Sequence, residues 1–310
     1  MGEFASAILV SVVQRALAEE GIVVPVLAAT SDGALLPLDT KRRLLAEVAR
    51  DHGLLPLLRV GGYLPKLPPD PAVSALTAAR DPQDLFERWR RLERFTHSRH
   101  RVVLHELGAN HVVAEHAGPP GSPPEPAEDA LILGLLTALL QAIGARGVTV
   151  ALDPRRAPVV FEDGVFVAPP AGCATAIWHL TWSSLAPAGT TADAVADTDP
   201  VGQARQLLAG DLARRWTLPG LAAELGTSPR SLQRRLRGDG GFSALLAGAR
   251  AHRAGELLMR AEPSLGVVGF ASGYADQPHF TREFKRRTAM TPAAYRSSFL
   301  LPPDAQRAKI

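Results

Sequence analysis

Cysteine is almost absent from this chain: Cys173 is the only one in 310 residues. An internal disulfide is therefore impossible and a cysteine-rich zinc site is excluded, which fits a reducing cytoplasm. A long apolar run is also missing. The most apolar segment, 130–143, falls short of the roughly 18 residues a membrane span needs and contains Thr137 and Gln141, so it reads as a buried helix. The opening Met1-Gly2-Glu3-Phe4 is acidic where a leader would be basic, so no signal peptide is expected. Neither a phosphate-binding glycine loop nor a nucleophile elbow occurs, and no catalytic role is assigned.

What is present suits two soluble domains. Apolar residues make up 46% and charged residues 21% of the chain, and 310 residues leave room for two domains. The net charge of +3 hides an asymmetry. Residues 200–299 carry 15 Arg and Lys against 7 Asp and Glu, whereas residues 1–199 carry 17 against 23. A basic module joined to an acidic one implies that one end holds a polyanion and the other does something else.

Two composition breaks divide the chain. The run Gly118-Pro119-Pro120-Gly121-Ser122-Pro123-Pro124-Glu125-Pro126 can only be a loop. Residues 186–199, rich in Ala, Thr, Asp, Gly and Pro without apolar period, read as an interdomain linker. Residues 1–185 read as a mixed α/β domain, with helices near 4–20, 39–52 and 82–97 and a hairpin of 101–107 with 111–116. An apolar helix over 127–143, strands near 147–152 and 158–167 and a helix near 172–184 complete it. Residues 200–299 read as all-helical, and 300–310 as a tail.

The helical part contains one plan twice. In 217–237, Thr217 caps a short helix that buries Leu218, Leu221, Ala222 and Leu225. Gly226 turns the chain, and Ser228 caps a second helix with Pro229 in its first turn. There Leu232 and Leu236 face inward, leaving Arg230, Ser231, Gln233, Arg234 and Arg237 outward. Arg and Gln on a free helix face can read guanine O6/N7 and adenine N6/N7. A solvated charged helix would look the same, but 264–287 repeats the plan: Ser264 cap, small-residue helix, Gly273 turn, Asp276 cap, Pro278, buried Phe280 and Phe284. Gln277, His279, Thr281, Arg282, Lys285 and Arg286 lie outside. A helix over 242–260 joins the two units.

The run Gly273-Tyr274-Ala275-Asp276-Gln277-x-x-Phe280-Thr281-Arg282-x-Phe284-Lys285-Arg286, with Thr291-Pro292-x-x-Tyr295-Arg296 after it, resembles the signature of the AraC/XylS family. Ser228-Pro229-Arg230-x-Leu232-Gln233-Arg234-x-Leu236 with Asp239-Gly240 resembles that family's first unit, and the likeness covers about 202–299. It implies two units bridged by one helix, with their second helices in successive major grooves. Carried over by position, Arg230, Gln233 and Arg234 would face bases in one groove and Gln277, His279 and Arg282 in the other. Two positions depart from the pattern: Gly269 replaces the usual Ala, and Ala289 the usual Gly. Residues 1–185 resemble the "arabinose-binding" branch through Phe86-x-x-Trp89-x-x-Leu92-x-Arg94 and His97-x-x-His100-Arg101, which implies no particular ligand.

Other chemistries find less support in the residues. His97, His100, His105, His111 and His116 with Glu106 and Glu115 match no standard metal-ligand spacing, so neither metal nor cofactor is expected. Cys173 reads as a buried small hydrophobe in preference to a redox thiol. Trp89, Trp178 and Trp182 read as core in preference to an effector pocket. The expectation is a cytoplasmic, multidomain, sequence-specific regulator or activator of transcription that binds double-stranded DNA and is not an enzyme. Candidate further partners are a small-molecule effector, RNA polymerase and a second copy of the chain. The alternatives are a non-specific architectural DNA binder and an enzyme domain targeted to DNA.

Overall fold

A computed structural model describes residues 4–24, 35–66, 70–96, 99–152, 157–186, 200–212, 214, 216–261 and 263–300. The chain divides into two compact units: Met1–Leu67 with Leu76–Gly189, and Pro68–Ala75 with Thr190–Ile310. The segment read as linker lies, beyond Ala186, outside the described residues, as do His97 and the tail from 301.

The first unit is mixed α/β. It runs β1 (Phe4–Ser6), α1 (Ala7–Glu19), β2 (Leu35–Pro37), α2 (Leu38–His52), α3 (Leu55–Arg59) and a 3-10 turn, Val60–Lys66. Helix α4 (Pro71–Thr77) follows in the chain, its residues up to Ala75 belonging to the second unit, then α5 (Pro82–Thr96), β3 (Arg101–Leu107), β4 (His111–Ala117) and α6 (Pro126–Ala142). Short strands close the unit: β5 (Ala145–Arg146), β6 (Thr149–Leu152), β7 (Val159–Glu162), β8 (Val165–Phe166), β9 (Ile177–Thr181) and β10 (Ser184–Leu185). The main sheet has six antiparallel strands in the order β3-β4-β9-β6-β7-β8.

The apolar run expected as a helix over 127–143 forms α6. Helix α6 begins at a capping box of Glu125 and Glu128 and is buried on nearly every face. Its Gly134 lets a backbone approach closely, since a Cβ there would collide with the Leu58 carbonyl, and one at Gly61 with the Gly134 carbonyl. The helix expected near 172–184 is not formed. Those residues supply β9 and β10, with Trp178, Leu180 and Trp182 buried at period two between β4 and β6. The expected strand over 158–167 is a hairpin, β7 and β8, turning at Asp163 and Gly164, whose φ values are 51° and 81°. Cys173 is only half-buried, its Sγ–H donating to the Ala174 carbonyl at 3.3 Å. Trp89, Trp178 and Trp182 are core residues; Trp89 Nε1 donates to Glu93 Oε1 at 2.7 Å and Trp178 Nε1 to the Thr175 carbonyl at 2.6 Å.

Charge is also buried in this unit. Lys41 Nζ lies 2.9 Å from Glu128 Oε1 with both side chains sealed, and Arg42 and His100 approach Glu128 Oε2 at 3.3 and 3.5 Å. Nearby, Asp129 takes His116 Nδ1 at 2.8 Å and the Thr175 hydroxyl at 2.7 Å. Among the described residues, no group of three or more His, Cys, Asp or Glu could hold a metal ion, and no helix is long and apolar enough to cross a membrane.

Candidate nucleic-acid interface

The second unit is helical: α7 (Pro200–Gly210), α8 (Leu218–Glu224), α9 (Pro229–Arg235), a 3-10 turn Leu236–Asp239, α10 (Gly241–Leu258), α11 (Leu265–Ala271), α12 (Gln277–Thr288) and α13 (Pro292–Phe299). Five helices start on a side-chain cap, each satisfying one orphan amide of the first turn. Thr217 Oγ1 accepts from Gly220 N at 3.1 Å, Ser228 Oγ from Ser231 N at 3.1 Å and Ser264 Oγ from Val267 N at 3.3 Å. Asp276 Oδ1 accepts from His279 N at 2.7 Å, and Thr291 Oγ1 from Ala294 N at 3.2 Å. Both turns are left-handed glycines, Gly226 at φ 60° and Gly273 at φ 75°. Gly273 is doubly required, because a Cβ there would also strike the Leu212 carbonyl.

Each pair of short helices has its own core. Around α8 and α9, Leu208, Leu212, Trp216, Leu221, Leu232 and Leu236 are buried together with Leu245 and Leu246 of α10. Around α11 and α12 the core is aromatic. Tyr274 meets Phe280 at 4.9 Å between ring centroids, Phe280 meets Phe284 at 5.6 Å, Phe284 meets Tyr295 at 5.3 Å, and Tyr295 meets Phe299 at 4.8 Å.

These cores orient the polar side chains. On α9, Arg230, Gln233 and Arg234 are exposed and Ser231 is half-buried. Helix α9 ends at Arg235, so Arg237 is not on the helix; it is exposed in the 3-10 turn that follows. Arg235, which the sequence pattern did not single out, is exposed beside Arg234. On α12, Gln277, Arg282 and Lys285 are exposed, while His279, Thr281 and Arg286 are half-buried. The His279 ring stands edge-on to Tyr274, 5.6 Å between centroids at 80°. Arg286 Nη2 donates to Glu283 Oε2 at 2.7 Å, and this bond holds the Glu283 carboxyl below its usual range. Arg287 turns inward, with Nη2 reaching the Ala244 carbonyl at 3.4 Å, and burial lowers its pKa. The two helices therefore present different surfaces: a cluster of unengaged Arg and Gln on α9, and a sparser one on α12.

Residues 221–298 match the model of a family described as a helix-turn-helix domain. The chain is 36% identical over 95 residues to the HTH-type transcriptional regulator GadX of Escherichia coli O6:H1, a match covering 30% of this chain and 35% of that protein. It is 29% identical over 90 residues to the HTH-type transcriptional activator FapR of Escherichia coli, covering 29% of this chain and 35% of that protein. The matches thus span about a third of the curated relatives' length. Among solved structures, a DNA-binding transcriptional dual regulator of Escherichia coli K-12 is 28% identical with a TM-score of 0.32, over 33% of this chain and 92% of that one. The C-terminal part of the chain carries an AraC-type helix-turn-helix DNA-binding domain.

Proposed function

We propose that the chain is a sequence-specific transcription regulator whose helices α9 and α12 read successive major grooves of double-stranded DNA. The observation that supports this is the doubled plan itself: two capped helices, each with its apolar side sealed in its own core and Arg and Gln left outward. In this reading Arg230, Gln233 and Arg234 contact bases in one groove, and Gln277, His279 and Arg282 in the other. Ser231, Arg237, Thr281, Lys285 and Arg286 serve the sugar-phosphate backbone. Residues 1–185 sense an effector or dimerise, RNA polymerase is the downstream partner, and the protein acts in the cytoplasm without catalysing a reaction.

Two substitutions separate base reading from charge. A bidentate Arg–guanine pair carries about 1–3 kcal/mol of discrimination, so Arg234→Ala should relax preference at one base pair. Lys285→Ala should weaken all sequences alike and reduce the salt slope by about one unit. The measurement uses the full chain, a duplex selected from random sequence by the wild type, and single-base variants of it at two salt concentrations. A uniform loss for Arg234→Ala would remove that residue from the base-reading set. Selection that returns no consensus would favour an architectural DNA binder.

A further inference from the structure

The second unit is not one continuous stretch of chain. Residues 70–75, more than a hundred positions before α7, fold as part of it. Asp70 starts α4, its Oδ1 accepting from Ala72 N at 2.8 Å and Val73 N at 3.1 Å. The segment is held by residues of the second helix-turn-helix half and of α10. The Tyr295 hydroxyl, at the centre of the aromatic core, donates to the Pro71 carbonyl. Ser74 Oγ lies 3.1 Å from His252 Nδ1 on α10, and the same ring places Nε2 3.4 Å from Glu256 Oε1. At the crossing, α10 carries Gly255, where a Cβ would come within 2.9 Å of Pro71 Cβ and 3.2 Å of the Tyr295 hydroxyl. Arg287 of α12 supplies positive charge facing Asp70.

The contacts have a pattern. They join α10, the helix between the two helix-turn-helix units, to α13 and to the base of α12. None of them touches the exposed side chains of Arg230, Gln233, Arg234, Gln277, Arg282 or Lys285. A segment that blocked DNA would cover those side chains; the contacts of this one are with Tyr295, His252 and Gly255. Two grooves can be read at once only if the angle between the units is held, and α10 both joins the units in the chain and packs against α11, α12 and α13.

We propose that Asp70–Ala75 is a positioning clasp that fixes the second helix-turn-helix unit on α10, so that simultaneous reading of two grooves depends on a segment remote from the DNA-binding region in sequence. This rests on the DNA-reading function proposed above. The clasp contributes no base contact. It acts on the spacing of the two helices, and so on the step from binding one groove to binding two.

The test is the full-length double variant Ser74→Ala/Tyr295→Phe, which removes the Ser74–His252 and Tyr295–Pro71 hydrogen bonds and keeps the aromatic ring at 295 in its core. The probe is a duplex selected by the wild type, alongside one with the second groove's sequence scrambled and two with the sites moved apart by two or four base pairs. The double variant should lose roughly tenfold in affinity for the intact duplex, as expected for two hydrogen bonds of ordinary strength. It should hold the scrambled duplex within about twofold of wild type and lose its preference among spacings, a pattern that general destabilisation would not produce. Ser74→Thr, which keeps the hydroxyl, should restore much of the loss when it replaces Ser74→Ala in that pair. Amide exchange at 72–77 and 252–259 should quicken in the double variant. Intact affinity and spacing preference despite faster exchange would overturn the clasp, and so would a wild type whose 72–77 amides are unprotected. A wild type that selects no duplex would instead overturn the DNA-reading function, leaving exchange to report whether the segment docks.

Discussion

Ala289 sits where helix α12 must stop and α13 must begin, and its backbone is left-handed at φ 62°, ψ −2°. The geometry is enforced from both sides. Its N–H donates to the Lys285 carbonyl at 2.9 Å, and Met290, almost fully buried, follows with its N–H on Thr288 Oγ1 at 3.2 Å. Thr291 then caps α13, so the chain has no freedom to relax into a right-handed turn. An L-residue in this conformation costs about 1–2 kcal/mol, and glycine does not bear that cost. Glycine also loosens the unfolded chain, which offsets about 0.4–1 kcal/mol. Ala289→Gly should therefore stabilise the second unit by about 0.5–1 kcal/mol, or about 2–6 °C for a unit of this size. Amide exchange of α12 and α13 as a function of urea localises the effect to that unit. Asp163→Gly, at the other left-handed non-glycine position among the described residues, should change little, because Asp tolerates this conformation in a hairpin turn. An Ala289→Gly protein no more stable than wild type would show that the left-handed cap is not strained and refute the reasoning.

Gly134→Ala tests the close helix crossing with a sign. Helix propensity alone favours Ala by about 1 kcal/mol, whereas the collision with the Leu58 carbonyl predicts a loss of about 1–3 kcal/mol or more; urea unfolding decides, and a stabilised variant would rule the crossing out. Glu93 is pushed up to about 7 by burial, partly offset by hydrogen bonds from Trp89 and Val102. Because this carboxyl is easier to protonate folded than unfolded, its stabilisation is complete below its ordinary value of 4.5 and declines as pH rises through about 7. Glu128 behaves oppositely. Burial would raise it, but His100 and Lys41 together hold it far below the carboxylate range, so its contribution is present near neutral pH and fades in acid. Urea midpoints across pH 4.5–7 should fall less steeply with rising pH for Glu93→Gln than for wild type, and parallel curves would remove Glu93 from the account.

Much of the DNA-binding region is legible in one dimension because its determinants are local. A cap needs a Ser, Thr or Asp three residues before the amide it accepts, and a turn needs a glycine at one position. Thr217, Ser228, Ser264, Asp276, Gly226 and Gly273 all meet those conditions within a few residues of chain. The inward rows Leu232/Leu236 and Phe280/Phe284 follow from helical periodicity, and so does the outward set between them.

Other features were invisible for physical reasons. The segment around Trp178, Leu180 and Trp182 becomes a strand only because β4 and β6 lie on either side of it, and a short apolar run does not reveal such partners. Arg286 and His279 belong to the outward pattern of α12, yet Glu283 and Tyr274 engage them. The sequence by itself determined the helix-turn-helix pair, its caps, its turns and the side chains turned outward, because each depends on residues within one or two helical turns. Only the tertiary structure decided that residues 70–75 belong with α10 and α13, because the bonds from Tyr295 to Pro71 and between Ser74 and His252 join residues 224 and 178 positions apart.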